Sequence, residues 1–142
     1  MKIVIDTNVF ISGTLWYGIP NRIIELIDFK NIDLVLSQEI LQEFSEVLQY
    51  DEIQNKIKIK NFEMTYTLKK ITELAQIVDP KKKHKVIKDD PDDDKFIDAA
   101  VEGDVDYLVS KDKHLLNLKE FNGIKIVSPE EFLGLYNGNI EK

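Results

Sequence analysis

Hydrophobic positions in this chain fall into two spacings that alternate along its length. Ile3-Val4-Ile5 is a short continuous β-branched run, the pattern of a strand buried on both faces of a parallel sheet. Asp33–Leu36, Asp106–Ser110 and Ile124–Val127 repeat that pattern. Between them the spacing is helical. Pro20 suits a helix's first turn, with Ile23, Ile24, Leu26 and Ile27 on its buried side. Ser37 is placed to cap a helix over Gln38–Gln49, where Ile40, Leu41, Phe44, Val47 and Leu48 share one arc. Residues 51–75 predict a helical insertion: a short segment with Ile53 and Ile57, then a longer one from about Asn61. Met64, Leu68, Ile71 and Ala75, with Phe62 and Tyr66, supply core there. Pro91 opens a further helix, Gly123 marks a turn, and Ser128-Pro129-Glu130-Glu131 starts the last helix. Asn8–Gly18 reads as a loop, and the tail from Asn137 to Lys142 is expected to fray.

Alternating strands and helices predict an α/β fold, a three-layer α/β/α sandwich with a mostly parallel central sheet. At 142 residues, 43% of them hydrophobic, the chain suits one domain over residues 1–136. The absence of cysteine excludes disulfides, thiolate metal sites and cysteine nucleophiles. Two histidines, His84 and His114, are too few for a three-histidine zinc site, and both are expected at the surface. No apolar run approaches the ~20 residues of a membrane span and no signal peptide opens the chain, so a cytoplasmic protein is expected.

A net charge of −7 argues against general affinity for nucleic acid, unless the acids gather in one pocket that takes cations. Their positions favour that. Asp6 and Asp112 each follow an apolar strand, at the carboxyl edge where α/β sheets bind ligands. At about 100° per residue, Glu43 borders the apolar arc of its helix about 40° from Val47. By the same count Asp94 lies about 20° from Val101, with Asp98 one turn further on. Asp92 and Asp93 are read as first-turn acids suited to the helix dipole. The run 89–94 lacks the Gly and closing Glu of an EF-hand. Four converging carboxylates without a matching Lys or Arg cannot all stay ionised unaided. A hard divalent cation answers that, and oxygen ligation favours Mg²⁺ or Mn²⁺, able to activate water and offset charge on a phosphate.

Other features leave two readings each. Lys81-Lys82-Lys83-His84-Lys85 is either a solvated loop or a phosphate contact. Trp16 and Tyr17 could stack bases, though at least one is expected to cover the core.

Four segments carry a family resemblance: Val4-Ile5-Asp6-Thr7-Asn8-Val9, Gln42-Glu43-Phe44, Asp93-Asp94-Lys95-Phe96-Ile97 and Leu108-Val109-Ser110-Lys111-Asp112. From Lys2 to about Leu135 the chain resembles the PIN-domain ribonucleases, particularly VapC-type toxins of toxin–antitoxin pairs. The resemblance implies hydrolysis of RNA phosphodiesters to 5′-phosphate and 3′-hydroxyl ends. It makes Asp6, Glu43, Asp94 and Asp112 the metal-binding acids, with Asn8 and Ser110 orienting them or the attacking water; Asp98, by its place on the same helix edge, is expected in support. Ser110 keeps the hydroxyl where many relatives have Thr. An antitoxin protein and a second copy of the chain are the implied partners; with RNA as the polyanion, the charge of the basic run makes Lys81, Lys82, Lys83 and Lys85 its expected contacts. A haloacid-dehalogenase-type enzyme would need an acid where Asn8 stands, and a receiver domain would need one after the strand at Asp33. A PIN fold kept as a silent RNA-binding or docking module is the remaining alternative.

Overall fold

The computed structural model describes residues 1–15, 18–60, 64–88 and 91–141. Trp16, Tyr17 and Phe62 lie outside the described residues, as do the side chains of Met64 and Tyr66. The elements are β1 (Lys2–Ile5), α1 (Thr7–Leu15), α2 (Ile19–Asp28), β2 (Asp33–Ser37), α3 (Gln38–Leu48), α4 (Asp51–Lys60) and α5 (Met64–Leu74). There follow β3 (Gln76–Val78), a 3₁₀ turn at Pro91–Asp93, α6 (Asp94–Glu102), β4 (Tyr107–Val109), α7 (Lys113–Leu116), β5 (Glu120–Phe121), β6 (Ile124–Val127) and α8 (Pro129–Glu141).

The strands form one sheet in the order β3-β2-β1-β4-β6-β5, parallel except for the β5–β6 hairpin. β1 lies inside it, Ile3 beside Leu34 of β2 and Tyr107 of β4. Successive strand residues point to opposite faces, yet Ile3, Val4 and Ile5 are all fully buried, so helices cover both faces. The mostly parallel α/β architecture is the one the hydrophobic pattern predicts. Asn122 and Gly123 both take positive φ in the β5–β6 connection, the combination a tight hairpin turn needs.

Five elements depart from the sequence reading, among them the two-residue strand β5, which had no expected counterpart. The expected loop after Asn8 is helix α1, because Asp6 caps it: Val9 N–H donates to Asp6 Oδ1 at 2.8 Å. Val9, Phe10, Ile11 and Leu15 are then buried. β3 carries one buried residue, Val78, too little apolar signal to read alone; it exists because β2 offers it a partner. α7 is a single turn capped by Asp112, and α8 continues to Glu141 through the segment expected to fray, with no proline to stop it.

Two packing contacts set the frame of the carboxyl edge. The rings of Phe10 and Phe44 stack 4.3 Å apart and nearly parallel, clamping α1 to α3. Gly13 lets α1 approach α2, since a Cβ there would stand 2.5 Å from Ile24 Cγ1 and 2.8 Å from the Pro20 carbonyl oxygen. Gly13→Ala is therefore expected to cost about 1–3 kcal/mol in urea unfolding. Gly134→Ala, at an open helical position, should be neutral or stabilising by up to about 1 kcal/mol. Equal effects of the two substitutions would show that α1 and α2 have room to part.

Candidate metal centre

Asp6 is the first side chain beyond β1, and it is buried. Its backbone N–H donates to Val109 O of β4 at 3.1 Å, holding the two strand ends side by side. Oδ1 accepts from Val9 at the start of α1. Oδ2 accepts from Ser110 Oγ at 2.5 Å and from the Lys111 N–H at 3.1 Å. Ser110, fully buried, in turn accepts from the Asp112 N–H at 2.9 Å. One hydroxyl thus links the acids that end β1 and β4. Asp112 caps α7, its Oδ1 accepting from the His114 N–H at 2.8 Å and lying 3.5 Å from His114 Nδ1.

Glu43 reaches the same edge from α3. Thr7 Oγ1 donates to Glu43 Oε2, and Lys95 Nζ stands 2.7 Å from Oε1 as a charge-assisted hydrogen bond. The Phe10–Phe44 stack explains why Thr7 and Glu43 meet, each being a near neighbour of a stacked ring in its own helix.

A cleft of about 330 Å³ opens over these groups, lined by Asp6, Thr7, Asn8, Glu43, Asp93 and Asp112, with Tyr50 and Glu52 at its α4 side. Ligand atoms of Asp93, Asp112 and His114 all lie within 4.8 Å of one another. Carboxylate oxygens with one imidazole at the rim form a donor set that suits Mg²⁺ or Mn²⁺. Burial pushes the Asp6 carboxyl above its usual range, and nearby Asp112 adds to this; hydrogen bonds from Ser110, Val9 and Lys111 pull the other way.

The structure thus brings Asp6, Glu43, Asp112 and Asn8 together and keeps Ser110 behind Asp6. It does not bring Asp94 or Asp98 to them. Asp94 Oδ1 accepts the backbone N–H groups of Val86 and Ile87 at 3.0 and 2.9 Å. Asp98 Oδ1 accepts from the His84 N–H at 2.7 Å and pairs with His84 Nδ1 at 2.8 Å. Glu102 accepts the Lys81 N–H at 2.9 Å. Acids 94, 98 and 102, four residues apart on α6, therefore form a row of acceptors for segment 81–87, which has no sheet partner. His84 is accordingly half-buried and wedged edge-on against Phe121, not at the surface as its basic neighbours suggest.

Asp93 takes the place the sequence reading gave to Asp94. The angular count sets Asp94 beside Val101, and both do lie in α6, but Val101 is only half-buried and that edge of the helix faces segment 81–87. The signal was there. Asp93 stands three, four and seven residues ahead of buried Phe96, Ile97 and Ala100, so it continues the arc that faces the sheet. The expectation that no Lys or Arg matches the acids is also corrected: Lys95 is held inside, its side chain 14% exposed. Thr7 went unnoticed because its partner is 36 residues away.

The sequence profile of the PIN domain family matches residues 2–114. The chain belongs to the PIN domain family. PIN domains are generally nucleases that act on RNA and bind divalent metals, in keeping with the acid cleft at the carboxyl edge of this one. The chain is also similar to an uncharacterized protein of Methanocaldococcus jannaschii, 30% identical over 142 residues covering 94% of this chain and 90% of the relative.

Thermal melts separate the two neighbouring acids of this PIN domain. Wild type should be stabilised by Mn²⁺, by about 2.7 kcal/mol at a hundredfold over its dissociation constant. Asp93→Asn should lose that response. Asp94→Ala should keep it but start about 1–3 kcal/mol less stable, with two amides deprived of their acceptor. The reverse assignment of effects would restore Asp94 to the cleft.

The raised Asp6 pKa has its own consequence. Folding opposes the ionised form, so in EDTA Asp6 imposes no penalty below its unfolded value near 3.8. The penalty grows as pH rises through that value and levels off above the folded one. Stability of wild type minus that of Asp6→Asn, from urea titrations in EDTA, should fall over this interval. A difference independent of pH would mean that the hydrogen bonds fully offset burial.

Proposed function

We propose that this PIN domain is a divalent-metal-dependent endoribonuclease that hydrolyses RNA phosphodiesters to 5′-phosphate and 3′-hydroxyl ends. The observation that carries the reading is the convergence of Asp6, Glu43, Asp93 and Asp112 on one cleft at the carboxyl edge of the sheet. These side chains would hold Mg²⁺ or Mn²⁺, which when bound supplies a Lewis acid for the phosphate and lowers the pKa of water.

The remaining residues have roles that follow from their contacts. Ser110 and the Lys111 amide fix the orientation of Asp6 and leave its ionised form hydrogen-bonded. Thr7 and Lys95 hold Glu43 at both oxygens, so that carboxylate meets a substrate already oriented. Asn8, exposed at the cleft, is placed to hydrogen-bond the scissile nucleotide or the attacking water.

Backbone contacts to α6 anchor segment 81–87 and leave the side chains of Lys81, Lys82, Lys83 and Lys85 exposed. Lys83 also lines a second cavity of about 400 Å³ beside Lys95 and the carboxyl ends of β2 and β3. Its 3.9 Å contact with Glu39 is solvent-exposed and too weak to withhold it from a phosphate. These lysines are the proposed RNA backbone contacts, a local basic run on a chain whose net charge is −7.

In a cell we assign the chain to the cytoplasm as the toxin of a VapC-type pair, working as a homodimer and restrained by an antitoxin protein. No helix among the described residues is long and apolar enough to cross a membrane.

The test is cleavage of a 5′-labelled mixed-sequence RNA with Mg²⁺, with Mn²⁺ and with EDTA, beside a DNA strand of the same sequence. Cleavage should require metal, favour RNA and leave 5′-phosphates. Asp112→Asn should lower the rate by orders of magnitude, and Asp92→Asn should barely change it. Undiminished cleavage by Asp112→Asn, or cleavage in EDTA, would contradict the reading.

A further inference from the structure

Tyr50 stands where the chain passes from α3 to α4, and its backbone is fixed there. Its N–H donates to Val47 O at 3.1 Å, and its carbonyl accepts from the Ile53 and Gln54 N–H groups at 3.0 and 2.9 Å. The ring is not fixed by burial. Tyr50 is 54% exposed, although its neighbours in space, Val47 and Ile53, pack against the core. A ring kept out of the core yet lining the acid cleft beside Asp6, Glu43 and Asp93 is a flat apolar platform with a polar tip.

The cleft's charge says what such a platform can take. The charged residues of its lining are all carboxylates, and Lys95, the cation that touches Glu43, is committed to that contact. A nucleic acid gains little there from its phosphates apart from those facing bound metal. The neutral π-face of a base meets no such repulsion and stacks on a tyrosine ring. A base already stacked and paired in a duplex cannot present that face.

We propose that Tyr50 stacks on an unpaired base next to the phosphodiester held in the acid cleft. This rests on the nuclease reading above and adds a base-binding residue to its site. Tyr50 acts as a binding residue, with no part in the chemical step.

The experiment measures anisotropy of fluorescein-labelled RNA in Ca²⁺ for wild type, Tyr50→Phe and Tyr50→Ala, with kcat and KM measured separately in Mn²⁺. The probes are a single strand, the same strand with one abasic nucleotide beside the mapped cleavage position, and its duplex. Tyr50→Ala should weaken single-strand binding about tenfold and raise KM in proportion, with kcat unchanged. Tyr50→Phe should stay within about twofold of wild type. The abasic strand should bind wild type about as weakly as the intact strand binds Tyr50→Ala, with no further loss when the two changes are combined. Additive losses, or an equal loss on the duplex, would overturn the proposal. Wild type that cleaves and binds single strands while Tyr50→Ala does so equally well overturns this proposal alone. Wild type that neither binds nor cleaves them overturns the nuclease reading with it.

Discussion

A carboxylate buried at the end of a central strand must be satisfied from several directions at once, and Asp6 is so satisfied. The start of α1, the buried hydroxyl of Ser110 and the amide of Lys111 all donate to it. The donors come from two parts of the chain, the start of α1 and the Ser110-Lys111 end of β4, so this one acid fixes where α1 begins and how the ends of β1 and β4 sit together. Ser110 passes the constraint to the backbone of Asp112. The Phe10–Phe44 stack then carries α3 to α1 and brings Glu43 to Thr7. The carboxyl edge is accordingly a set of mutually oriented acids and not a chance collection of surface charge.

Pairing within the edge is uneven, and the unevenness divides the labour. Lys95 neutralises Glu43, and hydrogen bonds sustain Asp6 against the burial that raises its pKa. Asp93 and Asp112 approach each other and His114 closely enough to share one ion. The other face of α6 uses the same residue type for a different purpose. Asp94, Asp98 and Glu102 accept the amides of segment 81–87, a role closer to that of an adjoining strand than of a ligand.

Much of this was legible in the sequence. The β-branched run ahead of Asp6, the Ser37 cap before α3 and the apolar run ahead of Asp112 each carry their own local signal, and each predicts the element observed. What could not be read directly depended on partners distant in sequence. β3 has almost no apolar pattern and is called into existence by the open edge of β2. Helix α1 looked like a loop because Ser12, Gly13 and Thr14 are poor helix formers, and its stability comes from the Asp6 cap and buried apolar side chains. Asp94 is placed by its nearness to Val101 around the helix, and that edge faces segment 81–87, whereas Asp93, in the 3₁₀ turn ahead of α6, lines the cleft.

The central claim is that Asp6, Glu43, Asp93 and Asp112 form one divalent-cation site. Anomalous diffraction from crystals equilibrated with Mn²⁺ tests it most directly. The account predicts a peak within about 2.5 Å of carboxylate oxygens from Asp93 and Asp112, inside the cleft that Asp6 and Glu43 complete. A peak bound to Asp94 or Asp98, or a cleft that stays without one at saturating Mn²⁺, would contradict it.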